Sequence, residues 1–331
     1  MKTLFKIFFW IGFVFLVIWL ISLNAGRKAD HIDYGVTFSE PYARGLGLEW
    51  KDVYNSMFDD LKLKRVRLSA YWDDVEPSQG KYNFEDLDFQ VNTASDHNAQ
   101  IVLGVGRRLP RWPECHQPDW SKKLTLEQQQ NEILSYIGTV VQRYENNTHI
   151  IVWQVENEAF LSSFGECPKL DEVFLDKEIA QVKTLDPDIP VLITDSGELN
   201  FWLDAGSKGD IFGTTFYRYV YSDKFKRYWT NHIPPLFYRF KAGILRFVRP
   251  GKQVAIIELE TEPWTTKGIP NTSIEEQFKT MSMDHFNTIL GLAKDTGLNP
   301  QYLWGVEWWY WMKQHGHPEF WDRAKILFNE N

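Results

Sequence analysis

Cysteine is nearly absent: 331 residues hold two, Cys115 and Cys167. A domain stapled by several disulfides, or built around a cysteine-rich metal site, is thereby excluded. Basic clusters are missing as well. The 36 Lys and Arg are outnumbered by 44 Asp and Glu, for a formal charge of −8, and the cations form no extended block, so no nucleic-acid partner is expected. Neither a glycine-rich phosphate loop nor a serine nucleophile elbow occurs, which removes the sequence basis for nucleotide cradling and for serine hydrolysis. His315-Gly316-His317 resembles a fragment of a metal site but has no matching acidic helix beside it. No metal and no cofactor are expected. Internal repeats and low-complexity tracts are also lacking.

Long uncharged runs are scarce, with one exception. Residues 7–23 carry no charge and are interrupted only by Gly12 and Ser22, with Lys2 and Lys6 before them and Arg27 and Lys28 after. As a helix at about 1.5 Å per residue this stretch just spans a hydrocarbon core, and it exceeds the apolar region of a cleaved signal. The expectation is an anchor and linker over residues 1–30, with the amino end in the cytoplasm and a catalytic domain, residues 31–331, outside it. Cleavage after Ala25, giving a secreted protein, is the alternative, since Leu23-Asn24-Ala25 is a poor small-x-small site.

After this segment, short apolar runs alternate with helix-period segments, the pattern of βαβ units around a parallel sheet. Eight strands are predicted, near 33–38, 65–69, 100–105, 150–155, 190–194, 211–216, 254–258 and 302–308. Eight such units imply an α/β fold, a (β/α)₈ TIM barrel, for which a domain of this length is ordinary. Thr125-Leu126-Glu127-Gln128 reads as a capping box opening a helix whose apolar face is Ile133, Ile137, Val140, Val141 and Tyr144. Ser273-Ile274-Glu275-Glu276 opens another helix, running on through Phe278, Met281, Phe286, Ile289 and Leu290 to Gly297. The stretch 219–250, with Pro234-Pro235 at its middle, reads as an elongated sixth βα loop plus its helix, or as an amphipathic segment touching a membrane. The two cysteines fall in the third and fourth βα loops, where one disulfide is expected in an exported chain; two unpaired thiols are the alternative.

Two of the predicted strands end on carboxylates. Trp153-Gln154-Val155-Glu156-Asn157-Glu158 closes the fourth, and Val254-Ala255-Ile256-Ile257-Glu258 forms the seventh. On a barrel both reach the C-terminal mouth, where two acids suffice for glycosidic cleavage. Glu260 and Glu262 follow Glu258 at period two and compete with it, although Pro263 argues that the strand stops. Aromatic residues are abundant, 15 Trp, 14 Tyr and 23 Phe, and many stand beside Pro, Gly or charge, where their faces suit sugar rings as well as core packing.

Asn157-Glu158 after Trp-Gln-Val, and Ile257-Glu258-Leu259-Glu260, resemble the strand-four and strand-seven motifs of the clan A superfamily of retaining barrel glycoside hydrolases, which includes cellulases, mannanases, xylanases and β-galactosidases. The resemblance implies Glu158 as acid/base, Glu258 as nucleophile, and Asn157 as ligand of the sugar 2-hydroxyl. It further implies that Arg67 steadies the nucleophile, that Tyr217 at the end of strand six bonds to it, and that Trp308 at the end of strand eight is a sugar platform. A structural ion-pair role for Arg67 is the alternative. The implied partner is an oligo- or polysaccharide, besides a membrane through the N-terminal segment. A non-catalytic carbohydrate-binding envelope protein on the same barrel is the competing reading.

Overall fold

The computed structural model describes residues 28–169, 171–222 and 225–329, together with Lys6, Trp10, Leu16, Ala25 and Gly26. The expected anchor, 7–23, therefore lies outside the described residues apart from Trp10 and Leu16. Among the described residues no helix is long and apolar enough to cross a membrane.

Ten strands are present among the described residues: β1 (Tyr34–Thr37), β2 (Arg65–Ser69), β3 (Gln100–Val105), β4 (Ile150–Val155), β5 (Val191–Asp195), β6 (Ile211–Phe216), β7 (Tyr219–Ser222), β8 (Arg227–Thr230), β9 (Gln253–Glu260) and β10 (Gln301–Trp304). Eight of them close into a parallel barrel in the order β1-β2-β3-β4-β5-β6-β9-β10, so the α/β barrel expected from the alternation is present. The pair β7 and β8 forms an antiparallel hairpin on the loop after β6, and the helix Pro235–Val248 follows it, as the proline-centred sixth loop suggested.

Local chemistry explains the helices. Thr125 and Gln128 form the expected reciprocal capping box at the start of Leu126–Tyr144, and Ile133, Ile137, Val140, Val141 and Tyr144 are all buried. Such a cap contributes about 1 kcal/mol. The helix predicted to open at Ser273 is instead two. Ile274–Gln277 ends after one turn, and Ser282 caps a second helix, Met283–Thr296, by accepting from the His285 N–H. Gly297 ends that helix in the left-handed conformation, φ 67°, as a terminal glycine should.

One strand boundary is corrected. The eighth barrel strand stops at Trp304 rather than reaching Trp308, because Gly305 takes φ 130° and starts the helix Val306–Gln314. A Cβ at Gly305 would lie 2.5 Å from Glu262 Cβ, so conformation and space both demand glycine there.

Inside the barrel, Val102, Val152, Leu192, Ile257 and Tyr302 form a small apolar plug, separate from the larger layer between strands and helices. Above it the strands deviate from strict alternation. The register Thr214 to Ile256 and Thr215 to Glu258 leaves Ile257 as an extra residue in β9, and the β10 pairing shifts at the same place. Such a bulge turns two successive side chains to one side. Ile257 joins the interior plug while Glu258 meets Arg67 in the barrel interior.

Candidate active site

The sequence TTF of β6, RVR of β2 and WQV of β4 supply a polar layer above the plug. Arg67, fully buried on β2, is its centre. Its Nη1 donates to Glu258 Oε1 at 3.0 Å, its Nη2 to Asn157 Oδ1 at 2.7 Å and its Nε to Gln154 Oε1 at 2.7 Å. A planar guanidinium with donors in fixed directions suits this branched task, and a lysine would not. Glu258 is also tied on its other side, where the Tyr217 hydroxyl donates to Oε2 at 3.1 Å. Burial, followed by the charges of Glu258 and Glu158, pushes the Tyr217 phenol well above its ordinary range, so it stays a neutral donor.

Glu158 lies just beyond the end of β4. Glu156 and Glu158 both have positive φ, 55° and 42°, and they flank Asn157 in the turn that leaves the strand. These conformations cost of order 1 kcal/mol or more each for residues with a side chain, and such strain gathers where a side chain must be aimed. The turn is held by Glu158 N–H donating to Thr194 Oγ1 at 2.8 Å and by Asn157 N–H donating to the Arg108 carbonyl at 2.6 Å. Glu156 is a loop anchor, accepting the Arg107 and Arg108 backbone N–H groups at 2.7 Å each.

Burial raises the Glu158 carboxyl well above the usual carboxylate range, and the negative charges of Glu258 and Glu114 add to it while Arg108 opposes. Glu158 therefore holds its proton to higher pH than an ordinary carboxyl. Glu158 Oε1 and Asn157 Nδ2 are both buried and have no partner among the described residues. A site that leaves one carboxyl oxygen and one amide N–H without partners can serve a ligand bearing both acceptors and donors.

The two competing glutamates have other work. Glu260 Oε2 accepts the backbone N–H groups of Arg218 and Tyr219 at 2.6 and 3.0 Å, fixing the start of the β6 loop; burial nevertheless lifts its carboxyl to about 8. Glu262 pairs with Arg111, whose Nη2 donates to Glu307 Oε2 at 2.9 Å. Arg111 is sandwiched between Tyr42 and Trp304, with ring centroids 3.7 and 4.0 Å from its guanidinium carbon. This clamp joins the loops after β1, β3, β9 and β10, and sequence reading missed it. The signal available was the run of arginines at 107, 108 and 111 just after β3. Arg108 does order a loop: it pairs with Glu114 and donates to the carbonyls of Leu161 and Phe164 at 2.8 and 2.9 Å.

Trp308 requires correction. It sits in the helix Val306–Gln314, is fully buried, and donates through Nε1 to Gln277 Oε1 at 2.7 Å, so it offers no face to a ligand. The aromatic surface at the mouth is instead the run Trp112, Phe164, Trp264 and Tyr217, with successive centroids 5.8, 6.0 and 5.9 Å apart. The cysteines are also corrected: Cys115 and Cys167 are free thiols rather than a disulfide, although they lie close enough, where the third and fourth loops approach, to perturb each other's ionisation.

The profile of Glycosyl hydrolase family 10 matches residues 51–177, a span that holds Arg67, Asn157 and Glu158 and stops short of Tyr217 and Glu258. Beta-galactosidase LacZ of Lactobacillus acidophilus is 28% identical over 125 residues, 33% of this chain and 19% of that protein. Endo-1,4-beta-xylanase C of Paenibacillus barcinonensis is 31% identical over 96 residues, 28% of this chain and 9% of that one. The matched regions thus span less than a fifth of those two proteins. Among solved structures, a family 10 endo-beta-1,4-xylanase from Gloeophyllum trabeum superposes with a TM-score of 0.57 at 18% identity, covering 91% of this chain and 97% of that chain. Xylanase 10B from Thermotoga petrophila, in complex with xylobiose, gives 0.55 at 18%, covering 83% and 82%. The family 10 match takes in strands two to four, and the structural neighbours share the (β/α)₈-barrel fold, so in both respects the chain is similar to the clan A barrel glycoside hydrolases.

Proposed function

We propose that the protein hydrolyses β-glycosidic bonds of an oligo- or polysaccharide with retention of anomeric configuration, using Glu258 as nucleophile and Glu158 as acid/base. One observation carries the reading. A single buried guanidinium, Arg67, holds Glu258 with one nitrogen and Asn157 with another, while burial and the charge of Glu258 raise the neighbouring Glu158 carboxyl well above the usual carboxylate range. In the first step a Glu258 oxygen attacks the anomeric carbon as Glu158 gives its proton to the departing oxygen. Asn157 Nδ2, which has no partner among the described residues, is assigned to donate to the sugar hydroxyl adjacent to that carbon. Forming the glycosyl ester removes the Glu258 charge, one of the two carboxylates that raise Glu158. Glu158 then ionises more easily and takes a proton from the attacking water. The relatives named act on galactosides and on xylan, so β-linked neutral sugars are the substrate class, with Trp112, Phe164 and Trp264 as stacking surface.

The test is a panel of aryl β-glycosides and polysaccharides, with the product anomer read by NMR. Retention is expected, Glu258→Gln should abolish turnover, and Glu158→Gln should lose about 10²–10⁴-fold on substrates with basic leaving groups but far less on activated aryl glycosides. An inverted first product, or full turnover by both variants, sinks the reading.

Residues 7–23 are proposed to anchor the chain in a membrane with the barrel on the extracytoplasmic side. The supporting fact is a seventeen-residue uncharged stretch bounded by Lys2, Lys6, Arg27 and Lys28. Release of the intact protein by alkaline carbonate refutes the anchor, and cleavage after Ala25 yields a secreted form.

A further inference from the structure

The helix Pro235–Val248 carries an apolar stripe that stays exposed among the described residues. Leu236, Phe237, Phe240, Phe247 and Val248 are all exposed, Leu236 by 66% and Val248 by 50%. At 3.6 residues per turn these positions, with Ile244 between them, fall within an arc of about 120°. The opposite side holds Tyr238, Ala242 and Leu245, which are buried against the barrel. An amphipathic helix normally turns its apolar face inward, yet this one has two apolar faces, one of them in solvent. The loop after β5 extends the surface, since Phe201 is 83% exposed and its neighbour Asn200 is tied to the same helix through Lys241 Nζ.

The path of the N-terminal chain supplies the second observation. Lys28 pairs with Asp295 at 2.8 Å, on the helix adjacent to Pro235–Val248. Two residues earlier, the Gly26 carbonyl accepts from Arg239 Nη2 at 2.6 Å, and a Cβ on Gly26 would come within 3.3 Å of Arg246 Nη1. Arg239 and Arg246 are one pair of turns apart on the same side of the helix, and both border the stripe. Gly26 therefore lies along one long edge of the apolar surface, three residues after the uncharged 7–23 stretch ends.

We infer that this flank of the barrel is a second membrane contact: the stripe of Pro235–Val248 lies in the headgroup region of the same bilayer that residues 7–23 enter. The inference rests on the anchor reading given above. Three features select a lipid surface. The stripe lies beside Gly26, three residues after the uncharged stretch; it is rich in phenylalanine; and it is bordered by Arg239 and Arg246, whose charge complements anionic headgroups. Because a tether a few residues long makes the docking intramolecular, even weak interfacial affinity holds the flank down. The helix runs from the mouth end of the barrel at β6 back to the start of β9, antiparallel to the strands. Docking by this flank lays the barrel axis along the membrane plane, so that the Glu158 and Glu258 mouth opens sideways along the surface.

The test uses the full chain with Cys115→Ser and Cys167→Ser, carrying either Phe240→Cys or Asn92→Cys labelled with a fluorophore. Asn92 is an exposed residue of the helix Glu85–Asp96, which lies across the barrel from Pro235–Val248. The protein is reconstituted into phosphatidylcholine vesicles containing a minority of phosphatidylglycerol, and flotation is measured first. The label at position 240 should lose most of its emission to lipids bearing a nitroxide near the headgroup and resist aqueous iodide, with the reverse at position 92. If the protein floats but position 240 is quenched by iodide like position 92, the anchor stands and the docking is wrong. If position 240 is reached by neither quencher, a second copy or the chain's own N-terminal stretch covers the stripe, which also overturns the inference. Failure to float removes the anchor and the docking together.

Discussion

Arg67 and Glu258 should behave as one energetic unit, and a double-mutant cycle measures this directly. Their charged atoms are 3.0 Å apart and their side chains 1% and 4% exposed. At an effective dielectric of about 20, that separation corresponds to roughly 5–6 kcal/mol of Coulomb attraction, set against the desolvation of both ions. Arg67→Met leaves a buried carboxylate with only the Tyr217 hydroxyl, and strips Gln154 Oε1 of its donor. A loss of about 3–5 kcal/mol is expected, as for any buried ion deprived of its partner. Glu258→Gln strands the guanidinium in the same way and should cost a similar amount. The double variant removes both charges, so its loss should fall short of the sum by at least about 2 kcal/mol. Urea unfolding at neutral pH gives the three differences, and moderate salt should change them little because neither ion faces solvent. Losses that add to within about 0.5 kcal/mol refute the coupling, and with it the view that Arg67 holds the proposed nucleophile in place.

Glu114→Gln should move the basic limb of the pH–activity profile to lower pH. Glu114 raises Glu158, and its removal frees the positive charge of Arg108 to favour the ionised acid, so both effects act in one direction; an unmoved limb refutes the role of this pair. Trp308→Ala should destabilise the fold by about 3–5 kcal/mol without changing KM at temperatures where it stays folded, since the ring is core and not platform; a raised KM with unchanged stability contradicts that. The Glu307 carboxyl is lifted by burial to about 7 from 4.5, so the native state keeps a proton that the unfolded chain releases. Its contribution to stability is complete below about pH 4.5 and is lost as pH rises through about 7, at no more than roughly 1.4 kcal/mol per unit. Glu307→Gln should flatten thermal stability across that window, and an equally steep fall in the variant would show that another group is responsible.

The barrel was legible because its strands are short, apolar and separated by helix-period segments. β2, β3, β4 and β6 begin and end where the pattern places them. Arg67, Asn157, Glu158, Tyr217 and Glu258 come together for a different reason: each lies within or just past a barrel strand, and a closed parallel ring brings such positions to one mouth. What pattern could not supply was the partner of each remaining polar group. Glu262, Arg111 and Glu307 are 151 and 196 residues apart in sequence, and nothing local couples them. Trp308 failed because Gly305 ends the strand four residues early, a glycine whose necessity depends on Glu262 packed against it.

The choice among Glu258, Glu260 and Glu262 shows where a periodic argument stops. With an unbroken period of two, Glu258 would share a side with Ile256, which packs outside the barrel, and would point away from Arg67. The extra residue at Ile257 reverses this: Ile257 fills the interior plug and Glu258 still turns inward. At β4 the corresponding device is the pair of left-handed residues, Glu156 and Glu158, around Asn157. Both carboxyls thus reach the mouth through an irregularity that weakens local regularity, one in pairing and one in dihedral angle. A sequence that favoured only stability would have kept alternation through these positions, which is why the pattern fails at the two residues to which the chemistry is assigned.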